Sequence, residues 1–341
     1  MKTKNKLNKM SSIDYAFQNY NEYSSPALTV MMRMSNAFQE ALSKARTLDS
    51  STITIADYGS SECLNSMLFI KHALTPFRET SQQPILIYHN DLPTNSWSKA
   101  FKTILEHQDS YINLPNVYFS SVGRTFFEQI LPDNSVTIGI SSISFHFLSE
   151  DLSAPDHVLA SSSNDLEFKE KAAKFAHDDL INLLELRYKE LVDHGTLILQ
   201  FAGETMDFGQ YLQDANERLY EKGIVTEEEK TSLSAASYGR TTEEVQRALD
   251  QEREKFRVLY FNKEKVPMFT GKSEKHIEIF TGMSKMVVGF QLQKTIKRTE
   301  EERNEILKQY VDEMKDLFEA KDQQLFTDLY IVALEKISRD K

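Results

Sequence analysis

Residues 53–69 read ITIADYGSSECLNSMLF. An apolar, β-branched run ends in Asp57, a glycine follows at 59, small polar residues come next, and then an apolar stretch at helical spacing begins. This is the pattern of a strand, a tight turn and a helix, and in open α/β sheets ligands lie outside the carboxyl ends of the strands. Asp57 and Gly59 stand at that position, where a glycine lets backbone and ligand approach closely. Only one glycine is present, so the turn lacks the G-x-G-x-x-G pattern that cradles a pyrophosphate. The residues therefore point to a nucleoside without a diphosphate, although an acid at a strand end serves equally well as a turn former or cap.

Working outward, the next β-rich run ends in YHNDLPTN, residues 88–95, and places Asp91 just past a second strand. An acid there can accept hydrogen bonds from both hydroxyls of a ribose. Further short runs, NVYFSS, SVTIGISS and GTLILQF, are separated by helical stretches. Runs apolar on both faces indicate strands covered on both sides, hence an α/β fold with a doubly wound, mostly parallel, Rossmann-like sheet. Before the first strand, LTVMMRMSNAFQEALSKAR, residues 28–46, has the period of a core-covering helix. The helix in DDLINLLELRYKELVDHG is expected to stop at Gly195. Past residue 202 the chain becomes highly charged and helical in pattern. Residues 203–325 read as a mostly helical cap on a 1–202 core, with 256–261 and the segment 326–341 returning to the sheet as strands.

Composition bounds the partners. The 341 residues carry 51 acidic and 40 basic side chains, a formal net charge of −11 that argues against a nucleic-acid backbone as ligand. No apolar run has the length of a membrane span, and the opening MKTKNKLNKM reads as a solvated tail without an apolar signal region after it. One cysteine, Cys63, excludes an intramolecular disulfide framework and a multi-cysteine metal site, and its apolar setting reads as a buried, inert thiol. A cytoplasmic protein acting on a small molecule, without metal, is the expectation.

Four blocks carry something more specific: DYGSSECLNS, YHNDLPTN, SSVGRTFFEQILPDNSVTIGISSISFHFLS and DLINLLELRYKELVDHGTLILQFAGE. In order and spacing they resemble the SABATH family of plant-type S-adenosylmethionine-dependent carboxyl methyltransferases. The resemblance covers residues 15 to about 205 and continues faintly through SYGRTTEEVQRALDQEREKFRV and LYIVALEKI. It implies S-adenosylmethionine as cofactor, a methyl ester as product and a homodimer as the assembly. Carried over by position, it implies that Asp57, Gly59 and Asn65 surround the amino-acid and sulfonium end. Asp91 and Leu92 would take the ribose and adenine side, with Ser120 and Ser121 near the adenine. From YNEYSSPAL it implies Ser24 beside the cofactor carboxylate and Tyr20 nearby.

A carboxylate, with an ordinary pKa of about 4, is already ionised at neutral pH and needs no general base. The family holds that carboxylate with a Gln three residues after the Ser and with a Trp in the SSISFHFLS block; here those positions are Ala27 and Phe147, neither with a side-chain donor. Ile143 and His146 complete the expected acceptor end, with His146 as donor to a carboxylate or as base toward a hydroxyl or nitrogen. The departure leaves open an O- or N-methyltransferase for a non-carboxylate acceptor, or an inactive nucleoside-binding accessory protein. Trp97 reads as a packing residue.

Overall fold

The computed structural model describes residues 19–48, 50–150, 152–233, 237–269, 271, 273–295, 297–321 and 324–338. The expected lysine-rich tail lies outside these residues. Seven strands form one sheet: β1 (Ile53–Tyr58), β2 (Ile85–Asp91), β3 (Val117–Gly123), β4 (Val136–Ser142), β5 (Leu191–Met206), β6 (Phe256–Phe269) and β7 (Leu325–Lys336). Their order is β3-β2-β1-β4-β5-β7-β6. β1 to β5 are parallel, whereas β7 runs antiparallel to both β5 and β6. The strand order reverses between β1 and β4, the place where such sheets open a ligand crevice.

Side chains alternate across the sheet, as period-2 geometry requires. Ile53, Ile55, Ile85, Ile87, Ile138 and Ile140 pack one face against α3 (Ser35–Ala45) and α4 (Leu64–Thr80). Tyr58, Val136, Leu197, Leu199 and Phe201 pack the other against α6 (Leu166–Glu190). Both faces are thus covered, which is why these strands read as continuous apolar runs.

Three local readings change. The stretch 28–46 is interrupted: α2 (Ser25–Met31) passes through a 3₁₀ turn at Met32–Met34 before α3 begins. Its apolar stripe is nevertheless buried at Met31, Met34, Phe38 and Leu42. The helix expected to reach Gly195 ends at Glu190, and Gly195 lies inside β5. A Cβ at Gly195 would stand 2.9 Å from the Val192 carbonyl and 3.1 Å from that of Thr137, so the glycine serves a crowded bulge rather than a helix end. The register jumps there from Val136↔Leu191 to Ile138↔Thr196. β6 continues eight residues beyond the expected 256–261 run, to Phe269.

Helices α7 (Asp207–Glu221), α8 (Glu227–Ser232), α9 (Thr242–Gln251), α10 (Glu274–Thr295) and α11 (Glu300–Ala320) fill the charged remainder. Thr226, Thr241 and Thr299 each close a capping box with the Glu three residues on, so three of these helices have their starting amides satisfied locally. α7, α10 and α11 share an aromatic core in which Phe280 stacks on Phe318 with ring centres 4.2 Å apart. Cys63 is buried immediately before α4, and the Trp97 indole donates to the Leu92 carbonyl at 3.2 Å while packing on the core. Among the described residues, no helix is long and apolar enough to cross a membrane.

Candidate active site

The turn after β1 is built from left-handed backbone: Gly59 has φ 90°, Ser61 48° and Cys63 67°. Glycine is required at 59 on a second count, because a Cβ there would lie 2.2 Å from Ser144 Oγ. The turn is tied to the end of β2. Gly59 N–H and Ser60 N–H both donate to the Asn90 carbonyl at 2.9 Å. Ser61 N–H donates to Asp91 Oδ2 at 2.6 Å, and Leu92 N–H donates to Oδ1 at 2.8 Å. Two backbone donors therefore fix the orientation of the Asp91 carboxylate, with lone pairs left for further donors. Burial pushes its pKa up to about 6, against the pull of those two amides.

The amino-terminal segment docks over this turn. Asn65 Nδ2 donates to the Ser24 carbonyl at 3.0 Å, and Leu64 N–H donates to Asn21 Oδ1 at 3.2 Å. The Tyr20 hydroxyl pairs with the Asn65 side chain; burial and the nearby Asp91 charge push its pKa up to about 12. These contacts carry α1 (Tyr20–Tyr23) and α2 onto the start of α4.

A cleft of about 310 Å³ opens here. Tyr20, Gly59, Asp91 and Leu92 line it together with Ala27, Ile143, His146 and Phe147. Of the residues singled out from sequence, Asp57, Ser24, Asn65, Ser120 and Ser121 are not part of its lining. Asp57 is buried, its Oδ2 accepting from Ser66 Oγ at 2.5 Å and lying 3.1 Å from His89 Nδ1, whose Nε2 is 2.8 Å from the Tyr111 hydroxyl. It braces the strand ends from below. Ser120 is exposed on β3, the outermost parallel strand.

The orphaned polar atoms indicate what the polar end could accept. Ser24 Oγ, Ser61 Oγ and Ser121 Oγ are buried without a hydrogen-bond partner, an arrangement that costs about 1 to 3 kcal/mol per group when nothing satisfies it. Of the three, Ser61 lines the cleft; its hydroxyl, the fixed Asp91 carboxylate and the glycine-shaped floor suit the ribose portion of S-adenosylmethionine.

Residue spacing gave no warning of several lining residues. Ser61 lies in the turn after Gly59, and Ser142 and Ser144 in the SSISFHFLS block, but Ser237, Met268, Met283 and Phe326 come from the distant charged half of the chain. His146 is buried, and burial followed by the charge of Arg240 lowers its pKa to about 3. Both causes favour the neutral ring, which keeps one N–H as a donor.

Residues 15–336 match the family model described as SAM dependent carboxyl methyltransferase. Among curated proteins, the chain is 24% identical over 344 residues to Methyltransferase FUS9 of Gibberella moniliformis, covering 91% of this chain and 92% of that one. It is 25% identical to Gibberellic acid methyltransferase 2 of Arabidopsis thaliana over 47% of this chain and 48% of that one. Among solved structures, loganic acid methyltransferase with SAH superposes with a TM-score of 0.76 at 17% identity, covering 94% of this chain and 96% of that chain, a likeness of fold. With a glycine turn and Asp91 at the ends of adjacent strands, a sheet of this order and a match spanning nearly every residue, the chain belongs to the S-adenosylmethionine-dependent carboxyl methyltransferase family.

Proposed function

We propose that this enzyme methylates the carboxylate of a small acid whose remaining body is apolar. One observation carries the reading: the cleft that Asp91, His146 and Phe147 line is also walled by Met206, Phe208, Met268, Met283, Met286 and Phe326. Among the described lining residues Asp91 alone bears a charge at neutral pH, so the apolar wall has no charge with which to recognise a second acid or an ammonium group. Methionine fills irregular space adaptably, which suits a flexible aliphatic or isoprenoid body.

S-adenosylmethionine, when bound, supplies an electrophilic methyl group on a sulfonium. Asp91 would accept both ribose hydroxyls and Ser61 would supply a hydroxyl contact beside it, with the buried Ser24 and Ser121 hydroxyls behind the lining. Asp57 and Asn65 would act one layer behind, holding the strand end and the amino-terminal segment in place. Ala27, Ile143, His146 and Phe147 would shape the acceptor end, with residues 203–325 serving as the cap over it. The chemistry required of the protein is alignment and exclusion of water; orientation alone contributes on the order of 7 to 11 kcal/mol in favourable cases. A pKa of about 3 makes His146 a poor base, which disfavours a hydroxyl or ring-nitrogen acceptor.

The test is incubation of the full chain with methyl-labelled cofactor and a panel of aliphatic, isoprenoid and aromatic acids alongside matched alcohols, with products identified by mass. Methyl esters of apolar acids are expected; transfer only to alcohols or amines would overturn the reading. A cytoplasmic homodimer completes the proposal, checked by light scattering across a wide concentration range and by fractionation of cells.

A further inference from the structure

The acceptor end is held from outside by a strap of four residues, Ser237 to Arg240. Ser237 pairs with Phe147 in an isolated antiparallel bridge, Tyr238 N–H donates to the His146 carbonyl at 2.8 Å, and Arg240 Nη1 donates to the Phe145 carbonyl at 2.8 Å. Three successive residues of the loop are therefore each gripped by the strap. It is anchored in turn: Arg240 bridges to Gly203 of β5, and a Cβ on Gly239 would lie 2.3 Å from the Gly203 carbonyl oxygen. Arg240 Nη2 donates to the Ala176 carbonyl of α6 at 2.8 Å, which fixes the guanidinium between helix and loop.

Arg240 is 1% exposed, and among the described residues no carboxylate lies within ion-pair distance of it. Its nearest acids are Asp179, whose carboxylate accepts from Ser149 N–H and Ser149 Oγ at 2.6 Å, and Glu244, which accepts from the Tyr238 hydroxyl at 2.8 Å. Arg240 Nε is buried without a partner. A buried cation lacking a contacting counter-ion is costly, and it projects positive potential into the low-dielectric space beside it. His146, Phe147 and Ser237 all line the cleft, and the Arg240 charge acts on His146.

We propose that Arg240 is the positioning and specificity residue of the acceptor end. Its buried positive charge, carried by the Phe145–Phe147 loop that it holds, makes the cleft select a carboxylate anion where Ala27 and Phe147 provide no side-chain donor. Preorganised charge of this kind acts without touching the reacting atoms. The inference rests on the apolar-acid reading above.

The test uses the full chain loaded with S-adenosylhomocysteine and three probes of one shape: decanoate, decanamide and methyl decanoate, with affinities from calorimetry. Wild type is expected to prefer decanoate over decanamide by at least ~10-fold, a margin within reach of a charge-assisted interaction. Arg240→Gln should lose that preference and keep its affinity for the neutral ester, whereas Arg240→Lys should retain part of it. Asp179→Asn removes a competing negative charge and should widen the preference, an independent reading should Arg240→Gln fail to fold. Equal binding of acid and amide by wild type, or a preference that neither Arg240→Gln nor Asp179→Asn moves, would overturn the assignment. Failure of wild type to bind any of the three would overturn the apolar-acid reading and the assignment with it.

Discussion

The backbone amide of Ser61 donates to Asp91 Oδ2 over 2.6 Å, so the turn that leaves the first strand sets the orientation of the acid that leaves the second. Two strand ends adjacent in the sheet thereby act as one rigid unit, and any ligand that reads Asp91 also reads the position of the Gly59 turn. Asp91→Ala should nearly abolish cofactor binding while the sheet survives, since hydrogen bonds to a charged group are worth about 1.5 to 3 kcal/mol each. Calorimetry with S-adenosylhomocysteine on the folded variant checks this; unchanged affinity would remove Asp91 from the site.

Cofactor affinity should also depend on pH in a defined sense. Burial raises the Asp91 carboxyl to about 6 in the free protein. Ribose hydroxyls donating to the carboxylate favour its ionised form, so its pKa falls on binding. Affinity is therefore full above pH 6 and weakens as pH falls through that value, approaching tenfold per unit until the pKa of the complex is reached. Asp91→Asn should bind weakly with a flat profile over the same range.

Gly59→Ala tests the floor of the cleft. A side chain at φ 90° that also meets Ser144 Oγ at 2.2 Å should cost about 1 to 3 kcal/mol from backbone strain, with the steric displacement of Ser144 in addition. Urea denaturation should show the loss, and cofactor affinity should fall with it. A variant as stable as wild type would mean that the turn relaxes freely.

His146→Phe removes the one N–H that the neutral imidazole can offer an acceptor carboxylate, and should lower turnover at least ~10-fold, about 1.4 kcal/mol in the barrier, with little change in cofactor affinity. The imidazole is neutral throughout the working range because burial and Arg240 lower its pKa to about 3. Activity should accordingly show no inflection near pH 6.5 that vanishes in the variant. Normal turnover by His146→Phe on the identified acid would make His146 a packing residue.

The chain's own residues determined much of this protein. Alternation of apolar residues placed the parallel strands, since strands covered on both faces have no polar side to display. Asp57, Gly59 and Asp91 announced the crevice because a strand followed by an acid or glycine is a local pattern. Its context distinguished their roles only in three dimensions. Asp57 faces Ser66 and His89 beneath the crevice, whereas Asp91 faces the cleft, although both stand at strand ends. Gly195 resembled a helix stop for the same reason: a glycine reports crowding or a left-handed turn, and spacing does not say which. The acceptor end lay furthest from view. Its loop from residues 143–148 is completed by Ser237, Tyr238 and Arg240, nearly a hundred residues downstream, and by methionines from β6 and α10. Those contacts follow from antiparallel β6 and β7 folding back beside β5. The pairing of distant segments is governed by long-range packing, which no local period encodes.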